Sequence, residues 1–335
     1  MNHNAALVLA ADSGYFPFAC IAAKQAIARA SKPLPVVLIH DGVPEDTLAA
    51  ARAYLPEMVL ADAAPLLEDT NFNTGMWPSR ATYIRLFIDQ IPAIDAYDRV
   101  LYTDCDVSVV TDPWALLSAN LAQAPIMAAY DWRHLPDISF RSRLSLSPGT
   151  AYFNSGVTLF DLGAIRAQGQ LQAARDFATN HRDLCIDHDQ DALNVAFQGK
   201  WQVLDWRWNA VSLNGDLMKK RPFIRHFTGK KPWFPDKRGV EPEFIDLWRA
   251  AIQASPWPDL FQPLQSPRNR LKYHLYPYAQ ALERYGKRML FSRTDTVRGM
   301  RARLLGRFAQ VLENIERAAA EGRLAERYPE RALLQ

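Results

Sequence analysis

Cysteine is scarce in this chain. Its 335 residues include three, Cys20, Cys105 and Cys185, far apart and in no Cys-x-x-Cys pattern. An odd, scattered set excludes a disulfide framework and a thiolate zinc site, and it suits a reducing cytoplasm. Glycine is sparse too, at 15 residues. No glycine-rich loop follows the first apolar run, where the sequence reads AADSGY, so the phosphate cradle of P-loop and dinucleotide-binding proteins is missing. No uninterrupted apolar run approaches the ~18 residues of a spanning helix. The N-terminus lacks a basic n-region, and its apolar run, Ala5–Ala11, stops at Asp12; it reads as a core strand, not a signal peptide. No internal repeat is found.

Neither sign of charge dominates: 39 Lys/Arg face 36 Asp/Glu, a net +3. The balance is uneven along the chain. Beyond Pro263, fifteen basic residues face seven acidic ones, leaving that segment near +8 and the remainder near −5. A negative body argues against nucleic acid as a partner. The Pro-punctuated run from Ser255 to Pro263 marks a boundary, giving a body of residues 1–262 and a basic region of 263–335.

Apolar runs and helical spacings alternate through the first third. Ala5–Ala11, Leu34–His40 and Met58–Leu60 read as strands, and Tyr15–Ala30 and Pro44–Tyr54 as helices. Such alternation calls for parallel strands joined by right-handed crossovers. Ser79 caps a further helix running to Gln90. Ile126–Tyr130, Tyr152–Leu162, Trp201–Leu204 and Phe223–Phe227 are further strands, and Ala192–Phe197 is a helix.

The stretch Val100–Val110, VLYTDCDVSVV, carries the chemistry. A buried strand runs into Asp104 and Asp106, and two carboxylates one residue apart there are costly unless a cation sits between them. The C-terminal ends of strands in open α/β sheets are also where ligands bind. A divalent metal clip for a diphosphate fits both points; a pair of loop aspartates is the competing reading. Asp12 falls on the same sheet edge, where it either accepts a hydrogen bond from a base, with Tyr15 stacking on it, or caps the next helix. Arg85 lies inward near phosphates or is a solvated helix arginine. Gly156, in Asn154-Ser155-Gly156, marks either a simple bulge or a close backbone approach to a ligand. The acids of Asp187-His188-Asp189-Gln190-Asp191 suit a helix N-terminus. His226, followed by Gly229, Lys230 and Lys231, forms an anion- or metal-binding turn or is an ordinary core histidine.

Five blocks in order, AADSGY, the Arg85 helix, LYTDCDV, FNSGV with DHDQDALN, and HFTGKKPW, resemble the retaining glycosyltransferases of family 8. That group contains glycogenin and bacterial lipopolysaccharide galactosyl- and glucosyltransferases. The resemblance spans residues 5 to 235. It implies an α/β GT-A fold, a Rossmann-like mixed sheet with helices on both faces, here with a basic helical C-terminal extension. It implies that Asp12 and Tyr15 hold uracil, with Ala11 and Cys105 also in the nucleotide site. Asp104, Asp106 and His226 would bind Mn2+, with Mg2+ as the alternative. Arg85, Asp189 and Asn154-Ser155-Gly156 would hold the donor sugar, and Gln190 would lie beneath the anomeric carbon. Gly229 and Lys231 would meet the diphosphate. Asp131, by position after its strand, would touch the donor sugar or the acceptor. Two departures stand out. Gly14 replaces a residue that is often polar, and only Lys230 separates Gly229 from Lys231-Pro232-Trp233, where relatives have two residues.

The activity so implied is transfer of a hexose from UDP-glucose or UDP-galactose to a hydroxyl acceptor, a lipopolysaccharide or other surface glycan or glycolipid. The alternatives are a sugar-nucleotide-binding protein without transfer and a nucleotidyl- or phosphoryl-transfer enzyme using the same aspartates; the second expects the glycine-rich loop that is missing.

The basic region carries two helical stripes, Leu271 to Met289 and Val297 to Ile315, the second flanked by Arg298, Arg301, Arg303 and Arg307. Arginines bordering an apolar stripe can rest their stems on lipid and reach phosphate. Packing on the body or on a partner chain is the other reading. The first reading gives a cytoplasmic protein held peripherally on the inner face of the plasma membrane. The full chain should then sediment with anionic liposomes, less so as salt rises, and a chain ending at Pro263 should not. Indifference of the full chain to anionic liposomes at low salt removes the membrane reading.

Overall fold

The computed structural model describes residues 4–262 other than 69, 75–78, 132–138, 148–149, 212–220, 236 and 238. The helical stripes expected beyond Pro263 lie outside the described residues. Two compact units divide at His226/Phe227.

The first unit is built on a seven-stranded sheet in the order β3-β2-β1-β4-β7-β6-β8. β1 (Ala5–Asp12), β2 (Val36–Asp41) and β3 (Val59–Asp62) run parallel to one another, and β4 (Arg99–Thr103) joins β1 in parallel on its other side. β1 and β2 are buried along nearly their whole length, as continuous apolar strands in a parallel sheet must be. The short β3 is half exposed, as befits an edge. β5 (Val107–Val109) leaves this sheet. β6 (Ile126–Tyr130) and β7 (Phe153–Asp161) pair antiparallel, and β7 also runs antiparallel to β4, so the sheet is mixed. β8 (Trp201–Val203) pairs parallel to β6. β9 (Ile224–His226) pairs antiparallel with β5, forming a two-stranded sheet.

Two departures from the periodicity reading concern helices near the carboxylates. Ser79 does cap its segment, accepting from the Ala81 N–H, but Arg80–Gln90 winds as a 3-10 helix. The helix expected from Ala192 begins at Asp189. Asp189, Gln190 and Asp191 thus occupy its first turn as buried residues, and an apolar pattern gives no sign of helical positions filled by buried polar groups.

In the second unit, the helix Pro242–Gln253 starts on a proline and buries Phe244, Ile245, Trp248 and Ile252, a helical stripe. Trp248 packs on Trp233 with ring centroids 4.4 Å apart.

β7 is the mechanical centre of the first unit. Phe160 pairs with Val100 on β4 and Ile126 on β6 and is 1% exposed. Phe160→Ala should destabilise the fold by about 3–5 kcal/mol, a transfer loss plus an unfilled cavity. Urea unfolding should show a lower midpoint with an unchanged slope.

Candidate active site

The strand β4 ends at Thr103, and the chain turns through Asp104-Cys105-Asp106 into β5. Because β5 pairs with β9 and Val107 stands opposite His226, a residue more than a hundred positions away is delivered to the aspartates. Asp104, Asp106 and His226 each offer a ligand atom, and these atoms lie within 4.8 Å of one another. His226 Nε2 is 3.3 Å from both Asp104 Oδ2 and Asp106 Oδ1.

Opposite them, β7 jumps register. Between Ala128 and Ala129 of β6, the partner on β7 changes from Thr158 to Asn154, leaving Ser155, Gly156 and Val157 without β6 partners. The bulge read from Asn154-Ser155-Gly156 is present, and Gly156 stands close against side chains of the site. The Gly156 carbonyl accepts from the Asp104 N–H at 2.8 Å. A Cβ on Gly156 would stand 2.2 Å from His226 Cε1 and 2.6 Å from Asp104 Oδ2, so only glycine fits.

Arg85 points inward and is 5% exposed. Its guanidinium bridges Asp104 at 2.6 Å and Asp189 at 2.8 Å, donates to the Ser155 carbonyl at 2.8 Å, and stands over the Tyr102 ring. Burial disfavours its charge, but the two carboxylates outweigh burial and hold it charged. Burial also works against the Asp104 carboxylate, and Arg85 followed by His226 more than reverses this, keeping it below the usual range. Asp189 behaves otherwise: burial pushes it up to about 6 against the pull of Arg85. Gln190 donates from Nε2 to Asp131 Oδ2 at 3.0 Å and accepts from the Ser155 N–H at 3.1 Å. Asn154 Nδ2 donates to the same Asp131 oxygen at 3.2 Å. Cys105 turns its thiol to the Ala10 carbonyl at 3.4 Å.

Asp12, beside the buried Ala11 at the end of β1, accepts from the Gly14 and Tyr15 N–H groups at 3.0 and 3.1 Å. One of its oxygens thus shapes the turn. The ring of Tyr15 stands edge-on to Phe18. Gly229 and Lys231 belong to the second unit, where Lys231 Nζ donates to the Phe227 carbonyl.

Three features carry no clear mark in the sequence. Asp191 is fully buried, accepting from both Arg143 nitrogens at 2.7 and 3.1 Å, from the Tyr152 hydroxyl at 2.6 Å and from the Asp187 N–H at 2.7 Å. It anchors the helix Asp189–Ala196, in whose first turn it stands. His188 holds a φ of 54° and ψ of −125° just before Asp189, a conformation costing a β-carbon residue roughly 1–3 kcal/mol. Its Nδ1 lies 2.9 Å from the Asn73 carbonyl, which also accepts from the Tyr83 hydroxyl at 2.7 Å. Asn209 reaches His226 and Asn154; its only signal is a place in the aromatic stretch Trp206–Asn209.

With this geometry in view, the profile described as glycosyl transferase family 8 matches residues 6–237. The chain belongs to glycosyl transferase family 8. General stress protein A of Bacillus subtilis is 28% identical over 173 residues, which cover 46% of this chain and 59% of that protein. Glycosyltransferase GlyA of Streptococcus pneumoniae is 24% identical over 286 residues, covering 81% of this chain and 38% of its own. The chain thus spans less than two thirds of either relative. A crystal structure of the galactosyltransferase LgtC with donor and acceptor sugar analogues superimposes with a TM-score of 0.60 at 25% identity, over 72% of this chain and 94% of that one. The mixed α/β sheet is therefore the GT-A-like fold of family 8.

The residues present fit a divalent cation. Two carboxylates and an imidazole form a mixed oxygen and nitrogen donor set suited to Mn2+ or Mg2+ more than to thiolate-loving metals. The pocket already demands positive charge: burial disfavours a charged His226, yet Asp106 and Asp104 push it up to about 9.

Gly156→Ala tests this packing. The added methyl must displace His226 or Asp104, so the affinity for a divalent cation, measured by calorimetry, should fall by about 10- to 100-fold, the scale of disturbing a ligand's support. Overpacking should cost roughly 1–3 kcal/mol of stability. Wild-type metal affinity in this variant would show that the close approach is relieved without moving a ligand.

Proposed function

We propose that this chain transfers a hexose from a UDP-sugar, UDP-glucose or UDP-galactose, to a hydroxyl acceptor on a bacterial lipopolysaccharide or other surface glycan, with retention of anomeric configuration. The observation that carries this reading is the meeting of Asp104, Asp106 and His226 at the C-terminal edge of the sheet in a family 8 chain. In it, those three residues hold Mn2+ or Mg2+, and a cation so bound neutralises charge on a departing diphosphate. Asp12, Tyr15, Ala11 and Cys105 face the nucleoside. Arg85, Asp189 and Asn154-Ser155-Gly156 orient the sugar.

Retention has two routes. Double displacement needs a free carboxylate under the sugar. The family resemblance assigns that position to Gln190, an amide engaged by Ser155 and Asp131. Its acidic neighbours are occupied: Asp189 by Arg85 and the Ser155 hydroxyl, Asp191 by Arg143 and Tyr152. Both facts support front-face attack, in which the leaving phosphate takes the acceptor proton and the Gln190 carbonyl oxygen steadies positive charge at the anomeric carbon. Cytoplasmic location, peripheral at the inner face of the plasma membrane, belongs to the same proposal and rests on the sequence of 263–335 alone.

Incubation with Mn2+ and a panel of UDP-sugars, reading UDP release and sugar product, tests the proposal. UDP-glucose or UDP-galactose should be consumed only with a divalent cation present, and Asp104→Asn should abolish consumption. Gln190→Ala should lower turnover about 10- to 100-fold with UDP affinity unchanged, the loss of one polar contact of ~1.5–3 kcal/mol to a charged transition state. A covalent sugar adduct on Asp189 or Asp191 would instead establish double displacement, and binding of UDP-sugar without any turnover would leave a binding protein.

A further inference from the structure

Asn209 lies at the end of the 3-10 turn Trp206–Asn209 and is 1% exposed. Its Oδ1 is 2.8 Å from His226 Nδ1, and its Nδ2 is 2.8 Å from Asn154 Oδ1. The direction of each amide follows from the fixed groups it meets. Asn154 Nδ2 faces Asp131 Oδ2, and Asn154 Oδ1 accepts the Gly156 N–H at 3.1 Å. Turning Asn154 over would set oxygen against a carboxylate oxygen at one end and a donor against a donor at the other. Its orientation is therefore fixed twice, oxygen toward Asn209. Asn209 must then give its NH2 to Asn154 and its oxygen to His226. An amide oxygen only accepts, so His226 Nδ1 carries a hydrogen. The other ring nitrogen, Nε2, is the one that faces Asp104 and Asp106.

We propose that Asn209 is a positioning residue for the metal centre: relayed from Asp131 through Asn154, the polarity of its amide holds His226 as the Nδ1–H tautomer with Nε2 free to ligate a divalent cation. The inference rests on the metal reading given under the proposed function. Ligating histidines are commonly oriented by an acceptor on their second nitrogen, and here the acceptor is a neutral amide whose direction is set by a carboxylate two residues removed along the chain of hydrogen bonds. Without Asn209 the imidazole has no reason to prefer this tautomer, and the alternative presents an N–H to the cation.

The test uses the full chain with UDP. Calorimetry with Mn2+ is run on wild type, Asn209→Leu and Asn209→Asp, each checked as folded by circular dichroism at the working temperature. Asn209→Leu should weaken Mn2+ binding about 10- to 100-fold. Asn209→Asp keeps an acceptor toward Nδ1 and should stay within a few-fold of wild type, although it repels the Asn154 oxygen and lowers the melting temperature. Nitrogen-15 histidine spectra of wild type with Mg2+ and UDP should show the His226 hydrogen on Nδ1. Equal losses in the two variants, no loss in Asn209→Leu, or a hydrogen on Nε2 overturns the proposal; the last overturns it even where Asn209→Leu does not fold. Failure of the wild type to bind any divalent cation is a different result, which brings down the metal reading and this inference with it.

Discussion

The site depends first on one buried cation, the guanidinium of Arg85. It joins the end of β4 through Asp104, the helix Asp189–Ala196 through Asp189, and β7 through the Ser155 carbonyl. These pieces come from three separate parts of the sequence, and each carboxylate would be costly in place without it. Removing one partner of a buried ionic pair typically costs about 3–5 kcal/mol, because a charge is left uncompensated. Arg85 therefore holds the shape of the site as well as facing the donor in the proposed reaction. Its removal should be read as a structural change before it is read as a catalytic one.

Arg85 compensates only part of the charge. Asp104 and Asp106 share the remaining demand with His226, whose imidazole is pushed up to about 9 after burial is outweighed by the two acids. A protonated His226 and a divalent cation are thus alternative answers to one electrostatic need. A metal ligand must give up its proton on the ligating nitrogen, so cation uptake there is an exchange of positive charge. The permanent cation sits where shape must be kept, and in the proposed function the exchangeable one sits where diphosphate would arrive.

The sequence is most legible where periodicity and position coincide. β1, β2 and β6 follow apolar runs closely, and the break of an apolar strand at Asp104 and Asp106 marks where the carboxylates fall. Arg85 cannot be decided locally: inward and solvated readings differ only in whether Asp189, about a hundred residues away, comes near. The pairing of β5 with β9 involves strands of three residues, too short to leave a period-2 signature. It is nevertheless the pairing that makes His226 a neighbour of Asp106. The first turn of the helix at Asp189 is hidden because its buried residues are polar, satisfied by partners that lie elsewhere in the chain. The backbone of His188 and the role of Asn209 share that cause, since both are defined by what they meet.

The identity of residue 190 follows from the same neighbours. Its side chain must donate toward Asp131 Oδ2 and accept from the Ser155 N–H at once. An amide does both. A carboxylate there would face the Asp131 carboxylate across 3.0 Å, and two acids so close cannot both ionise. They would share a proton, and one of the two would lose its fixed role: either Asp131 ceases to be the acceptor that orients Asn154, or residue 190 carries the proton and loses its nucleophilicity. The arrangement that aligns Asn154, Asn209 and His226 therefore favours glutamine at position 190, and glutamine is a poor nucleophile. In the proposed reaction, a front-face route is then the one that asks nothing of residue 190 beyond what its surroundings already impose.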